Sequence, residues 1–146
     1  MSRRSIERYI PKVISEIQEQ LLEDVYVKDK NDEKKKIKVI GVAESFNGYI
    51  SSFGASIMQS GVLPTVALFE KQEAKTKQKK YRLNSVILSV LKDVYKPSSK
   101  NTLLEYVVEH KEYEDILKKY ILDISIAVKL SIRTFRLGDP KGKKDE

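Results

Sequence analysis

Gly48-Tyr-Ile-Ser-Ser-Phe-Gly-Ala-Ser-Ile-Met-Gln-Ser-Gly61, followed by Val62-Leu-Pro-Thr65, is the stretch whose reading decides the fold. No charged residue lies between Gly48 and Phe69, in a chain of which 34% is charged. Tyr49, Ile50, Phe53, Ile57 and Met58 recur at helical spacing and predict one apolar face. Ser51, Ser52, Gly54, Ala55 and Ser56 fill the flank with small side chains, so neighbours can approach on two sides. The spacing therefore predicts a central, mostly buried helix. Gly61 stands where a left-handed C-cap belongs, and Pro64 suits the first turn of a following helix, where its missing N–H is no loss. The expected motif is helix, tight turn, helix.

Upstream, Ile10, Val13, Ile14, Ile17, Leu21 and Leu22 form a helical stripe, with Glu16, Glu19, Glu23 and Asp24 expected opposite. Pro11 is either the first-turn proline of that helix or a kink after a leading turn begun at Ser2 or Ser5. Lys28 to Lys38 is densely charged and reads as a solvated loop or frayed helix end. Ile37-Lys-Val-Ile-Gly-Val42 tempts a strand assignment through its β-branched residues. With no second strand visible to pair with, it reads as the lead-in to the central helix.

Downstream, Glu70 to Lys80 lacks apolar periodicity. Tyr81, Leu83, Val86, Ile87, Val90, Leu91 and Val94 mark an amphipathic helix that ends before Pro97. Asn101 or Thr102 caps a short helix burying Leu103, Leu104, Val107 and Val108. The last helix carries Ile116, Leu117, Tyr120, Ile121, Ile124, Val128, Ser131, Ile132 and Phe135, and Gly138-Asp-Pro140 stops it. The sum is an all-α fold, a single-domain bundle of about six helices over residues 1–138. Residues 139–146 are expected to be a charged, disordered tail.

With 146 residues the chain can bury a core of its own, and with no cysteine it has neither disulfides nor a thiolate metal site. The N-terminus lacks a signal peptide's apolar run and no window is long enough for a membrane span, so a cytoplasmic location without membrane contact is expected. The net charge of +7 favours polyanionic partners. That charge is sorted. Arg3, Arg4, Arg8 and Lys12 stand against Glu7 at the start. Lys71, Lys75, Lys77, Lys79, Lys80 and Arg82 stand against Glu70 and Glu73 in mid-chain, and six bases stand against three acids from Lys129 onward.

Catalytic chemistry finds no support. His110 is the one histidine, placed in a charged helix junction, and reads as a surface residue. Glu105, Glu109, Glu112, Glu114 and Asp115 alternate with lysines as on an exposed helix face. No phosphate-loop, nucleophile-elbow or His-Glu-x-x-His pattern occurs, so no catalytic residue, metal or cofactor is assigned. Gly48, Gly54 and Gly61 read as capping and close-packing residues. The basic residues carry more. Lys129, Arg133 and Arg136 fall at helical spacing on one side of the last helix, and Arg4 and Arg8 repeat the pattern near the start. A guanidinium fork matches phosphate oxygens, so these residues, with Lys71 and Lys75 in the mid-chain loop, are the expected contacts to a nucleic-acid backbone. Cations at the end of the last helix also suit its negative dipole end. The tyrosines are scattered rather than spaced as a stacking platform, which favours contact with a nucleic-acid backbone over reading of bases.

The run Tyr49-Ile-Ser-Ser-Phe-Gly-Ala-Ser-Ile-Met-Gln-Ser-Gly-Val-Leu-Pro-Thr65 resembles the core of the small helical subunit of the Cmr complex, the RNA-guided effector of type III-B CRISPR systems. The resemblance covers Gly48 through Phe69. It implies a non-catalytic structural subunit that serves antiviral defence by stacking along the complex and helping to hold RNA. The implied partners are the other Cmr subunits, the crRNA and target RNA, and further copies of itself. Tyr49, Ser52, Phe53, Gly54, Gln59, Gly61 and Pro64 are carried over as structural or subunit-packing positions. Lys28–Lys38 departs from the family pattern and has no assigned role. The competing reading is a small all-α DNA-binding protein with Gly61–Pro64 as the turn of a helix-turn-helix. Its recognition helix would then be Thr65-Val-Ala-Leu-Phe69, too apolar to face a groove. An enzyme is the third reading, disfavoured by the missing constellation.

Overall fold

The computed structural model describes residues 3–71 and 79–140, with side chains from Ile6 onward. Helix α1 runs from Arg3 to Gln20, and a hairpin follows, β1 at Leu22–Lys28 and β2 at Lys36–Ala43. Next come α2 (Ser45–Ser60), α3 (Val62–Glu70), α4 (Tyr81–Val94), α5 (Leu103–Glu109), a short 3₁₀ turn at Lys111–Tyr113, α6 (Glu114–Ile132) and β3 (Leu137–Gly138).

The helices follow the apolar periodicity. Val13 and Ile17 of α1 meet Val86, Ile87, Val90 and Leu91 of α4 and Leu117, Ile121, Ile124 and Val128 of α6 in one buried cluster. Pro11 lies well inside α1, which continues through it, so the carbonyl of Glu7 lacks its usual helical donor. Glu16, expected on the solvent side, is buried: Lys12 Nζ lies 3.1 Å from its Oε2, and Gln20 Nε2 donates to its Oε1 at 2.7 Å. Thr102 caps α5 by accepting from Glu105 N at 3.1 Å. From across the fold Glu70 Oε2 accepts from Leu103 N at 3.1 Å and from Leu104 N at 3.4 Å, so two more orphan donors of that helix are satisfied.

Three expectations are corrected. The first is that the fold is purely α. Ile37–Val42 belongs to β2, and its partner is Leu22–Lys28, where Leu21 and Leu22 had extended the stripe of the first helix by periodicity alone. A partner strand that carries adjacent acids, Glu23 and Asp24, gives no alternating signal of its own. The second is the end of the last helix. It stops at Ile132, and residues 136–139 form an extended strap. The strap's β3 runs parallel to β2, with Val42 N donating to Arg136 O at 2.8 Å and Glu44 N to Gly138 O at 2.9 Å. On its other edge Asp139 and Tyr26 exchange both backbone hydrogen bonds, at 3.0 and 3.1 Å. The strap thus joins the outer edges of β1 and β2 and closes the three strands on themselves. Asp139, assigned by sequence to the tail, is fixed in this sheet; residues 141–146 lie outside the described part.

The third correction concerns the middle of the bundle. Helix α6, which packs on α1, α2 and α4, occupies it, and α2 flanks it. Phe46, Ile50, Phe53 and Ile57 are the buried face of α2, and Met58, expected there, is 65% exposed. Ile116, expected on the buried stripe of α6, and Val108, expected buried in α5, are also exposed.

Candidate functional site

Two surfaces stand out, one without charge and one basic. The first is the outer side of α2 and α3. Gly61 takes φ +97°, which only glycine adopts without strain, but its ψ of 172° is extended rather than left-handed helical. It ends α2 by donating to Ile57 O at 2.9 Å and starts α3, where Pro64 sits in the first turn as expected. Ser56 and Thr65 share a 2.7 Å hydrogen bond across the turn, and Phe53 meets Phe69 edge to face at 5.1 Å. Pinned this way, the pair buries one side and turns Gly48, Ser51, Ser52, Ala55, Met58 and Gln59 of α2 and Pro64, Ala67 and Leu68 of α3 to solvent. Among the carried-over packing positions, Phe53 is core, Tyr49, Gly54 and Gly61 are partly buried, and Ser52, Gln59 and Pro64 are outside. The two helix glycines are not close-packing positions. A Cβ at Gly48 would meet nothing within 4 Å, and one at Gly54 would touch only Ser125 Oγ at 3.9 Å.

The basic residues do not form the single helix face that their spacing predicts. Lys129 is half-buried in the last turn of α6, Arg133 caps it in the open, and Arg136 stands exposed in the strap. Arg8 is exposed on α1, one residue before Tyr9, whose hydroxyl is pushed up by burial and next by Tyr120 and Asp123. Arg8 therefore sits beside the first half of α6, about 15 Å along the axis from Arg133. The side chain of Arg4 lies outside the described part, as does all of Lys75. Lys71 is exposed at the end of α3, next to the α5 N-terminus that Glu70 caps. Among the described residues the expected RNA contacts thus do not share one face: Arg8 lies on α1, Lys71 follows α3, and Lys129, Arg133 and Arg136 stand at and just beyond the end of α6.

What the sequence missed lies on the hairpin, which Val42 N ties to the Arg136 carbonyl. The hairpin carries Lys28, Lys30, Lys34, Lys35, Lys36 and Lys38, all exposed. Its dense charge read as a solvated loop or frayed helix end: residues 29–35 form a turn with Lys30, Lys34 and Lys35 exposed on it, whereas Lys28, Lys36 and Lys38 stand on the paired strands that flank it. The tyrosines are also less scattered than their positions in the chain suggest. Tyr95 packs on Tyr120 at 4.7 Å and on His110 at 6.1 Å, and Tyr106 packs on His110 at 4.4 Å. Lys96 Nζ lies 4.2 Å from the Tyr113 ring centre and 5.4 Å from that of Tyr95. This cluster is structural. Tyr106 is fully buried and donates to Lys96 O at 2.8 Å, and burial raises its hydroxyl pKa to about 12. His110 is not the surface residue expected: its side chain is 11% exposed and its Nδ1 lies 2.9 Å from Tyr106 O. Among the described residues no three His, Cys, Asp or Glu side chains gather as a metal site, and no helix is long and apolar enough to cross a membrane.

A family model described as CRISPR-associated protein (Cas_Cmr5) matches residues 16–122. The chain belongs to the Cas_Cmr5 family. It is thus a member of the small-subunit family of the type III-B CRISPR (Cmr) complex, in which it associates with the other Cmr proteins. No curated protein and no solved structure matches the chain. The region matched to Cas_Cmr5 contains the hairpin and the whole α2–α3 surface. Arg4, Arg8, Lys129, Arg133 and Arg136 fall outside it.

Proposed function

We propose that this chain is a non-catalytic building block of the Cmr ribonucleoprotein, stacking through the outer side of α2–α3 and touching crRNA or target RNA with its basic corner. The observation that carries this reading is the separation of the two surfaces. A helix pair that exposes Met58 (65%) and Leu68 (58%) among small uncharged residues leaves apolar area in water, and a protein neighbour would cover it. Small side chains allow the neighbour's backbone to come close. The basic corner, in contrast, presents Arg133 and Arg136 without a carboxylate partner among the described residues, as a surface for phosphate would. Further copies of the chain and the other Cmr subunits are the protein partners, and antiviral defence in the cytoplasm is the setting.

The alternative of a DNA-reading helix-turn-helix is disfavoured by α3 itself. Its exposed residues, Pro64, Ala67 and Leu68, offer no hydrogen-bond donor to a base edge.

Reconstitution of the Cmr complex with two variants tests the reading. Ser52→Lys/Ala55→Lys should fail to enter the complex while folding normally alone. Lys129→Ala/Arg133→Ala/Arg136→Ala should enter it, yet hold RNA with a log-affinity versus log-salt slope flatter by roughly 0.7 for each lost phosphate. Normal incorporation of the first variant would rule out stacking through α2–α3, and an unchanged slope for the second would remove RNA from the end of α6.

A further inference from the structure

The hairpin is an expensive feature with little to do inside the fold. Of its two strands only Val25, Gly41, Val42 and Ala43 are buried, all toward the base. Beyond them, residues 30–38 are exposed without interruption. A two-stranded ribbon is marginal on its own in water. This one is held by the strap, the last extended segment of the fold, which bonds Val42 and Glu44 at the base of β2 and, on β1, Tyr26, the cross-strand partner of Lys38. The anchoring is tight enough to demand glycine on both sides: a Cβ at Gly41 would collide with the Arg136 carbonyl, and one at Gly138 would come 2.5 Å from the Tyr26 carbonyl. The fold therefore fixes the root of an arm whose outer half buries nothing.

The charges on the arm are arranged for a partner outside it. Lys28, Lys30, Lys34, Lys35, Lys36 and Lys38 oppose Asp29, Asp32 and Glu33, a net charge of +3. Two of those acids are turned inward to build the turn, Asp29 Oδ1 accepting from Asn31 N and Asp32 Oδ1 from Lys34 N, each at 3.0 Å. None of the six lysines has an ion-pair partner among the described residues. The backbone adds to this. Val42 N points away from β1, toward the strap, so by the two-residue alternation of an antiparallel ladder the N–H groups of Ile40, Lys38 and Lys36 point the same way. The strap ends its pairing at Val42 and leaves that edge open below it. Arg136, bonded to Val42, therefore lies at the upper end of an edge that continues through Lys38 to Lys36, and Arg133 precedes it by three residues at the end of α6. Lysines on the edge discourage a further strand from pairing there, which argues against a second copy of the ribbon as the occupant.

We infer that the hairpin is an RNA-backbone arm: Lys36 and Lys38, on the open edge of β2, continue the Arg133–Arg136 corner into one track for the phosphates of single-stranded RNA. The inference rests on the RNA reading above and names the part of the chain that extends it. Contact is with phosphate, so it is indifferent to sequence and sensitive to salt.

The test is fluorescence anisotropy of the full-length chain with a labelled oligouridylate across a salt series. Five proteins are compared: wild type, Lys36→Gln/Lys38→Gln, Lys36→Arg/Lys38→Arg, Arg133→Gln/Arg136→Gln, and Lys111→Gln/Lys119→Gln. The last removes the same charge from exposed lysines near the start of α6, away from the hairpin, and so controls for net charge. The hairpin variant should flatten the salt slope by about 1.4, two contacts at ~0.7 each, whereas the control should not. Lys36→Arg/Lys38→Arg should restore the slope, and an unchanged circular-dichroism melt should accompany all variants because each altered side chain is exposed. A hairpin slope no flatter than the control overturns the arm. If the Arg133/Arg136 variant still flattens it, the arm alone falls and the RNA reading stands. A wild type with no salt-dependent binding overturns both. Loss of a protein partner with RNA binding intact would assign the arm to that partner and overturn the proposal as well.

Discussion

The outer side of α2–α3 and the corner made by the hairpin and strap are built on opposite terms. The first is uncharged from Ser45 to Phe69, regular, and secured from within by Phe53, Phe69 and the Ser56–Thr65 bond. The second is basic and irregular, and it is secured by backbone hydrogen bonds among three short strands and by the buried Val25, Val42 and Ala43. The contrast is clearest in the glycines. Gly41 and Gly138 have no room for a side chain, whereas Gly48 and Gly54 have room to spare. A glycine inside a helix with open space above it costs about 1 kcal/mol relative to alanine, and the free chain offers no steric reason for it. At Gly48 the proposed stacking supplies a reason outside the free chain, a neighbour that comes close. In the strap it lies inside.

Substitutions can break that comparison, the largest effect first. Gly138→Ala and Gly41→Ala should each cost about 3 kcal/mol in denaturant unfolding, because the obstructing atoms are backbone carbonyls that cannot move aside. A cost below 1 kcal/mol would mean that the strap is not tightly seated. The core beneath α5 supplies a reference common to both surfaces. The Tyr106 hydroxyl ionises near 10.0 in the unfolded chain and about 12 in the folded one, so the unfolded state holds fewer protons between these values and stability falls as pH rises through that window. The total loss should be about 2.7 kcal/mol, read from urea midpoints between pH 9 and 12, and Tyr106→Phe should flatten that arm.

Glu70 is the first charge after the uncharged stretch, and it is committed to α5. Glu70→Ala should cost about 1–2 kcal/mol by stranding the Leu103 and Leu104 N–H groups, measured as a shift in the thermal midpoint. A neutral outcome would show that water replaces the cap. The smallest effect carries the most information. Gly48→Ala should stabilise the free chain by up to about 1 kcal/mol, yet reduce its incorporation into the Cmr complex. Stabilisation with undiminished incorporation would leave the glycine unexplained and weaken the case for close approach at α2–α3.

Much of this could be read from the sequence by itself. The helices at Tyr81–Val94 and Ser45–Ser60, the turn at Gly61, the first turn of α3 with Pro64 in it and the Thr102 cap each depend on residues within a few positions of one another, and local periodicity and capping chemistry report such contacts. The run Tyr49–Thr65 also carried the family. The sheet was out of reach because its decisive bonds, Val42 to Arg136 and Tyr26 to Asp139, join opposite ends of the chain. A strand that alternates poorly shows itself only through its partner. For the same reason a basic run could be read as a helical face when Arg136 in fact leaves the helix. The sequence alone determined which segments are helical and where charge is withheld. Only the tertiary structure decided which small residues face water, and that Lys28, Lys36 and Lys38 stand on paired strands, the second of which is bonded at Val42 to Arg136. Composition along a chain is a local property, whereas the side of a surface on which a residue lies depends on everything packed against it.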